Sequence, residues 1–115
     1  MTGDEALARM TERRAATVEL IDSLTRLRND VVAAAEYTNG DDEHDPEGAT
    51  VAFERERLRA ELDRLHRELA DLDRATERLR QGSYTVCESC GGPIGAERLA
   101  ARPAARTCIS CAATR

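Results

Sequence analysis

Four cysteines carry the clearest chemistry in this chain. Cys87 and Cys90 form one C-x2-C pair, Cys108 and Cys111 form a second, and seventeen residues separate the pairs. Each pair presents two sulfurs from one tight turn, and the spacer lets the second turn close over the first. Four soft thiolates in a tetrahedral array suit Zn(II), with Zn–S bonds of about 2.3 Å. Gly91 and Gly92 follow the first pair, where a metal-binding turn needs positive φ or close backbone approach. Coordination by four cysteines leaves no open position for water, so one structural Zn(II) per chain is expected and no catalytic residue is assigned. An iron–sulfur centre takes the same four thiolates and stays open as an alternative. Paired disulfides suit an exported protein, yet the first ten residues, MTGDEALARM, show neither the basic nor the apolar region of a secretory signal. A redox C-x-x-C would sit in a βαβ pattern, and none surrounds this one.

The remaining composition describes what must position such a site. Of 115 residues, 34% are charged and 3% aromatic, and mean hydropathy is −0.55. Eleven Leu and many Ala favour helices over a compact aromatic core. All 17 basic residues are Arg, but 22 acids leave a net charge of −5. That balance disfavours a general nucleic-acid binder. The finger itself has four Arg and two Glu, and a four-thiolate zinc site brings it to about neutral. No direct sequence-specific DNA binding is expected. No apolar run approaches the roughly 20 residues that cross a bilayer, and a soluble, cytoplasmic protein without a membrane partner is expected.

Residues 51–81 carry a heptad seam in which Leu58, Leu65, Leu72 and Leu79 share one column and Leu62, Leu69 and Thr76 the other. Gln81-Gly82 ends it in the usual way for a helix. Residues 4–37 repeat the spacing through Thr17, Leu20, Leu24, Leu27, Val31 and Ala34, with Val18 and Ile21 widening the stripe. Asp4 and Glu5 suit the positive end of this first helix. Asn39-Gly40 stops it, and Asp45-Pro46-Glu47 or Thr50 starts the next. A short connection favours antiparallel neighbours. In that arrangement Leu27 faces Leu58, Leu24 faces Leu62, Leu20 faces Leu65, Met10 faces Thr76 and Leu7 faces Leu79. Leu72 fits poorly, since Arg13 or Arg14 would oppose it. The reading is therefore all-α with a small zinc finger: a long antiparallel two-helix hairpin over 1–81, then a four-cysteine finger over 82–115. The same stripes would equally serve an intermolecular coiled coil or a four-helix bundle.

Between the helices, residues 38–50 form an acidic tip with Asp41, Asp42, Glu43, Asp45 and Glu47 and no Arg. An EF-hand would need Gly where Pro46 stands, counting from Asp41. Solvated acids capping the second helix are one reading; a negative probe aimed at cations or metal in a partner is the other. Asp41, Asp42 and Asp45 are the candidate partner-binding residues. Neither His44 nor His66 is expected to be a ligand.

The stretch GSYTVCESCGGPIGAERLAARPAARTCISC, residues 82–111, with a hairpin ahead of it, resembles the DksA/TraR family of RNA polymerase-binding transcription regulators. The resemblance implies a protein without chemistry of its own, whose hairpin enters the polymerase secondary channel and whose acidic tip acts near the catalytic centre. Tip motifs of the family read Asp-x-x-Asp-x-Ala near a Pro. Aligned through Asp45-Pro46, the second acid falls on Gly48 and the alanine on Thr50. Starting at Asp42 recovers Asp42 and Asp45 but puts Glu47 at the alanine place. Of the basic positions that alarmone-responsive members use, Asp71 and Ala112 replace two and Arg102 remains. A weak or absent response to guanosine tetraphosphate is expected. The competing class is a zinc-containing coiled-coil adaptor, or a self-associating protein, that does not act on RNA polymerase. A redox sensor that releases zinc on oxidation is a third.

Overall fold

The computed structural model describes residues 2–38 and 46–114. Two long helices dominate it, α1 (Gly3–Thr38) and α2 (Pro46–Gln81), followed by two short ones, α3 (Ala96–Ala101) and α4 (Ile109–Ala113). Extended pairing among the described residues is confined to one antiparallel bridge between Val86 and Pro93. The chain is the expected helical hairpin followed by a small cysteine-rich finger. The candidate tip residues Asp41, Asp42 and Asp45 lie outside the described residues, as does His44. None of the described helices is long and apolar enough to cross a membrane.

Local chemistry sets the helix ends. Thr2 caps α1, its Oγ1 accepting from the Glu5 amide at 3.2 Å, and Asp4 and Glu5 occupy the first turn. Pro46 opens α2, where its missing N–H and fixed φ cost nothing. At the far end Gly82 takes φ +82°, its amide bonds Leu79 O at 3.2 Å, and the Ser83 amide bonds Arg78 O at 2.9 Å. This pair of bonds satisfies two of the last carbonyls and requires the left-handed residue that Gly supplies.

The chain divides into two compact units. The first joins residues 1–16 to residues 68–115, so the two hairpin ends and the finger share one core. That core contains Ala6 and Met10 of α1, Leu72 and Ala75 of α2, and Tyr84, Cys87, Ile94 and Leu99 of the finger. Met10 and Thr76 meet, with Thr76 Oγ1 3.9 Å from Met10 Sδ. The misfit at Leu72 resolves at the sides. Arg14 Nε reaches Asp73 at 2.8 Å and Arg13 Nε reaches Glu68 at 3.0 Å, while Leu72 is almost fully buried. The arginine heads go to acids in solvent.

The second unit, residues 17–67, is the remainder of the two helices. On α2 the seam is as read, with Leu58, Leu62 and Leu65 buried. On α1 it differs by one residue. Thr17, Leu24 and Val31 keep their column, but its companions are Ile21, buried, and Arg28, half-buried. Leu20 and Leu27 remain 44% exposed. Both columns are apolar near residue 20, so spacing alone could not choose between them. Val18, Thr25 and Val32, all half-buried, lie on the Ile21 side and widen the stripe in that direction. Leu7 is likewise 44% exposed, and Ala6 takes the interior place beside Met10.

The register generates a direct test. Ile21→Asp should destabilise the protein by about 3 kcal/mol or more, because it buries an unpaired charge. Leu65→Asp should do the same. Leu20→Asp, at a half-exposed position, should cost less than about 1.5 kcal/mol. Urea unfolding followed by helical circular dichroism measures the three, and equal losses at positions 20 and 21 would refute the register.

Candidate metal centre

Two short devices bring the cysteines together. In the first, Thr85 O accepts from the Ile94 amide at 2.9 Å, and the Cys87 amide bonds Gly92 O at 2.8 Å. The chain turns between them with the Gly91 amide on Cys87 O at 3.0 Å, and Gly91 takes φ +76°. Gly92 donates its amide to Cys90 Sγ at 3.4 Å. A Cβ on Gly92 would lie 3.4 Å from the same sulfur. In the second device Cys108 caps the start of α4 in extended conformation, and Cys111 follows on the helix itself. The Cys108 amide points at Cys87 Sγ, 3.3 Å away, tying the two halves.

The four Sγ atoms lie within 4.8 Å of one another. Cys90 Sγ and Cys108 Sγ are 3.9 Å apart, close to the about 3.8 Å edge of a tetrahedron with Zn–S bonds of about 2.3 Å. Their proton affinities are split. Backbone N–H groups at Cys90 and Cys108 hold the Cys87 thiol down to about 6. The backbone N–H at Cys111 lowers Cys108. Cys111 is pushed up to about 12, chiefly by its hydrogen bonds to the sulfurs of Cys108, Cys87 and Cys90. Four sulfurs this close cannot all carry charge without a cation among them. A divalent, thiophilic ion removes that conflict, and the closed donor set makes its role structural. The protein carries one structural zinc.

Electrostatics also tie the finger to α2. Arg78, 8% exposed, sends Nη2 to the carbonyls of Ser83 and Val86. Its Nε lies 3.6 Å from Glu88, which also meets Arg74 Nη2 at 3.0 Å and Arg106 Nε at 3.7 Å. Glu88 sits between the first two cysteines, and its amide bonds Arg106 O at 2.9 Å just ahead of the second pair. One carboxylate therefore joins α2 to both halves of the site. Arg98 of α3 donates to Thr107 O at 2.8 Å, Tyr84 donates its hydroxyl to Pro103 O at 2.8 Å, and Arg9 of α1 reaches Ala100 O at 3.2 Å. Periodicity missed Arg78 and Glu88, since a heptad seam says nothing of the charged residues between its leucines. Their signal was an acid inside the cysteine turn together with Arg74 and Arg78 one helical turn apart.

Comparison with known proteins adds to this geometry. Residues 82–115 match the family model of the prokaryotic dksA/traR C4-type zinc finger. The structure of transcription factor DksA2 from Pseudomonas aeruginosa is similar with a TM-score of 0.80 and 25% identity, over 97% of this chain and 81% of that one. The finger is of the dksA/traR type. Among curated relatives, the RNA polymerase-binding transcription factor DksA of Escherichia coli is 29% identical over 89 residues, covering 75% of this chain and 59% of the relative. The DksA of Caulobacter vibrioides is 46% identical over 43 residues, covering 37% of this chain and 30% of the relative. The chain thus spans 59% of the Escherichia coli relative's length. This dksA/traR-type finger sits on a core shared with the hairpin ends.

Two measurements test the site. Metal analysis should find one zinc per chain, and Cys87→Ser should lose it together with the folding of residues 82–115. Zinc-finger peptides bind their metal with about 10 kcal/mol or more. Arg78→Ala should speed zinc loss to a chelator at least tenfold, since it leaves the Ser83 and Val86 carbonyls without their donor and cuts the link from the buried end of α2 to Glu88. Arg80→Ala, at an exposed position beside Glu77, should leave the rate unchanged. Zero zinc would overturn the first expectation and equal rates the second.

Proposed function

We propose that this chain is a transcription regulator that binds RNA polymerase and is not an enzyme. The observation that carries the reading is the likeness to DksA2 over 97% of the chain, a hairpin with its finger rather than a finger alone. The RNA polymerase-binding factor of Escherichia coli supports the partner. In this reading Cys87, Cys90, Cys108 and Cys111 ligate the structural zinc. Residues 1–81 act as the hairpin and 82–115 as the finger that steadies its base. The hairpin enters the polymerase secondary channel, and Asp41, Asp42 and Asp45 at the tip act on the cationic surroundings of the catalytic centre. The protein works in the cytoplasm and makes no sequence-specific contact with DNA. Its response to guanosine tetraphosphate is weak or absent, because acidic Asp71 and neutral Ala112 stand where responsive relatives are basic.

A second reading, a zinc-containing adaptor or self-associating protein, draws on the exposure of Leu20, Leu27 and Phe53. One experiment separates the two. Asp41, Asp42 and Asp45 replaced together by Asn keep size and turn preference but lose charge. The triple variant should still co-purify with RNA polymerase and lose its effect on initiation in vitro. Parent-like regulation by the variant would remove the tip mechanism, and failure of both proteins to retain polymerase would favour the adaptor.

A further inference from the structure

In the second unit Arg28 occupies the stripe of α1 that otherwise holds Thr17, Ile21, Leu24 and Val31, and it is half-buried there. A guanidinium cannot escape burial by losing its proton, so it needs water or a counter-charge. Arg28 lines an open cavity of about 470 Å³ together with Val32 on α1 and Ala52, Arg55, Glu56 and Arg59 on α2. Arg55 and Arg59 stand one helical turn apart and approach from the helix opposite Arg28. Neighbouring arginines of α2 have acids of their own: Arg57 bonds Glu54 at 2.6 Å and Arg64 bonds Glu61 at 2.5 Å. Arg28, Arg55 and Arg59 have no ion pair among the described residues, and neither has Glu56. Three cations and one anion therefore converge on one concavity.

We propose that this cavity binds a compact polyanion with two adjacent phosphoryl groups, either free pyrophosphate or the diphosphate of a nucleotide. The volume lies within the roughly 300–1,000 Å³ of small-molecule sites. Guanidinium forks match phosphate oxygens in bidentate fashion, and their arrival from both helices clasps a short ligand. An extended acidic peptide would instead meet cations spaced along one helix. The net excess of two positive charges in the lining calls for more than a single carboxylate. The site involves neither the zinc nor the tip, and the proposal stands whether or not polymerase is the partner.

Titration calorimetry of the zinc-loaded chain with inorganic pyrophosphate tests it, alongside amide chemical-shift mapping. Saturable one-to-one binding is expected, with shifts concentrated at residues 28–32 and 52–59. Arg28→Gln and Arg59→Gln should each weaken binding about tenfold or more, while Arg57→Gln should not. If Arg28→Gln reduces helix content, the exposed Arg55→Gln carries the same test without touching the seam. ADP of affinity equal to pyrophosphate would assign the site to the phosphoryl groups alone, and tighter ADP would assign it to a nucleotide; both sustain the proposal. Non-saturating heats, binding that survives both glutamine variants, or equal loss with Arg57→Gln would overturn it. Displacement of pyrophosphate by a glutamate-rich peptide at matched charge would give the surface to a protein partner and also overturn it.

Discussion

Mutual repulsion among four sulfurs within 4.8 Å of one another is the constraint from which the finger follows. Hydrogen-bond donors can stabilise some of that charge, as the lowered Cys87 and Cys108 thiols demonstrate, but the cost reappears at Cys111. A dication resolves all four together. With the sulfurs joined, the turn at Gly91 and the cap at Cys108 are fixed relative to each other, and Tyr84, Ile94 and Leu99 gain a surface to pack. So short a segment has too little apolar area to fold unaided. Its core is therefore completed by Ala6, Met10, Leu72 and Ala75 from the hairpin ends.

The second fastening is ionic. Burying Arg78 is expensive unless its guanidinium is bonded on several sides, and two carbonyls with Glu88 supply most of those bonds. Its Nη1 finds no partner among the described residues. What the arrangement contributes is placement: Arg78 Nη2 holds Ser83 and Val86, the residues that lead into Cys87. The C-terminal turn of α2 thereby sets where the first pair of cysteines begins. Exposed pairs such as Arg80–Glu77 contribute little by comparison.

Much of this was legible in the residues. The cysteine spacing, the α2 seam and the stop at Gly82 all translate directly, because metal geometry, heptad period and positive φ each admit few residue types. The α1 register did not, since Leu20 and Ile21 are neighbours of similar hydrophobicity and only the partner helix decides which faces inward. Leu72 looked misplaced because one-dimensional pairing ignores that Arg13 and Arg14 can swing their heads to Glu68 and Asp73. Arg78 was hidden among flank arginines, for burial of a charge depends on a tertiary neighbour that periodicity does not register. The tip aspartates were read from composition, and they fall outside the described residues.

The first unit draws its core from both ends of the numbering. Ala6 and Met10 pack with Leu99, and Cys108 and Cys111 close the same cluster. During synthesis the first of these residues leaves the ribosome roughly a hundred residues ahead of the last. Helices α1 and α2 can pair through Ile21 and Leu65 while the base of the hairpin still waits. Ala6 and Met10 stay accessible to solvent and chaperones until the second cysteine pair emerges and captures metal. Completion of the hairpin base is therefore timed by zinc, and a cell short of that metal would accumulate chains whose outer hairpin is formed and whose base is open.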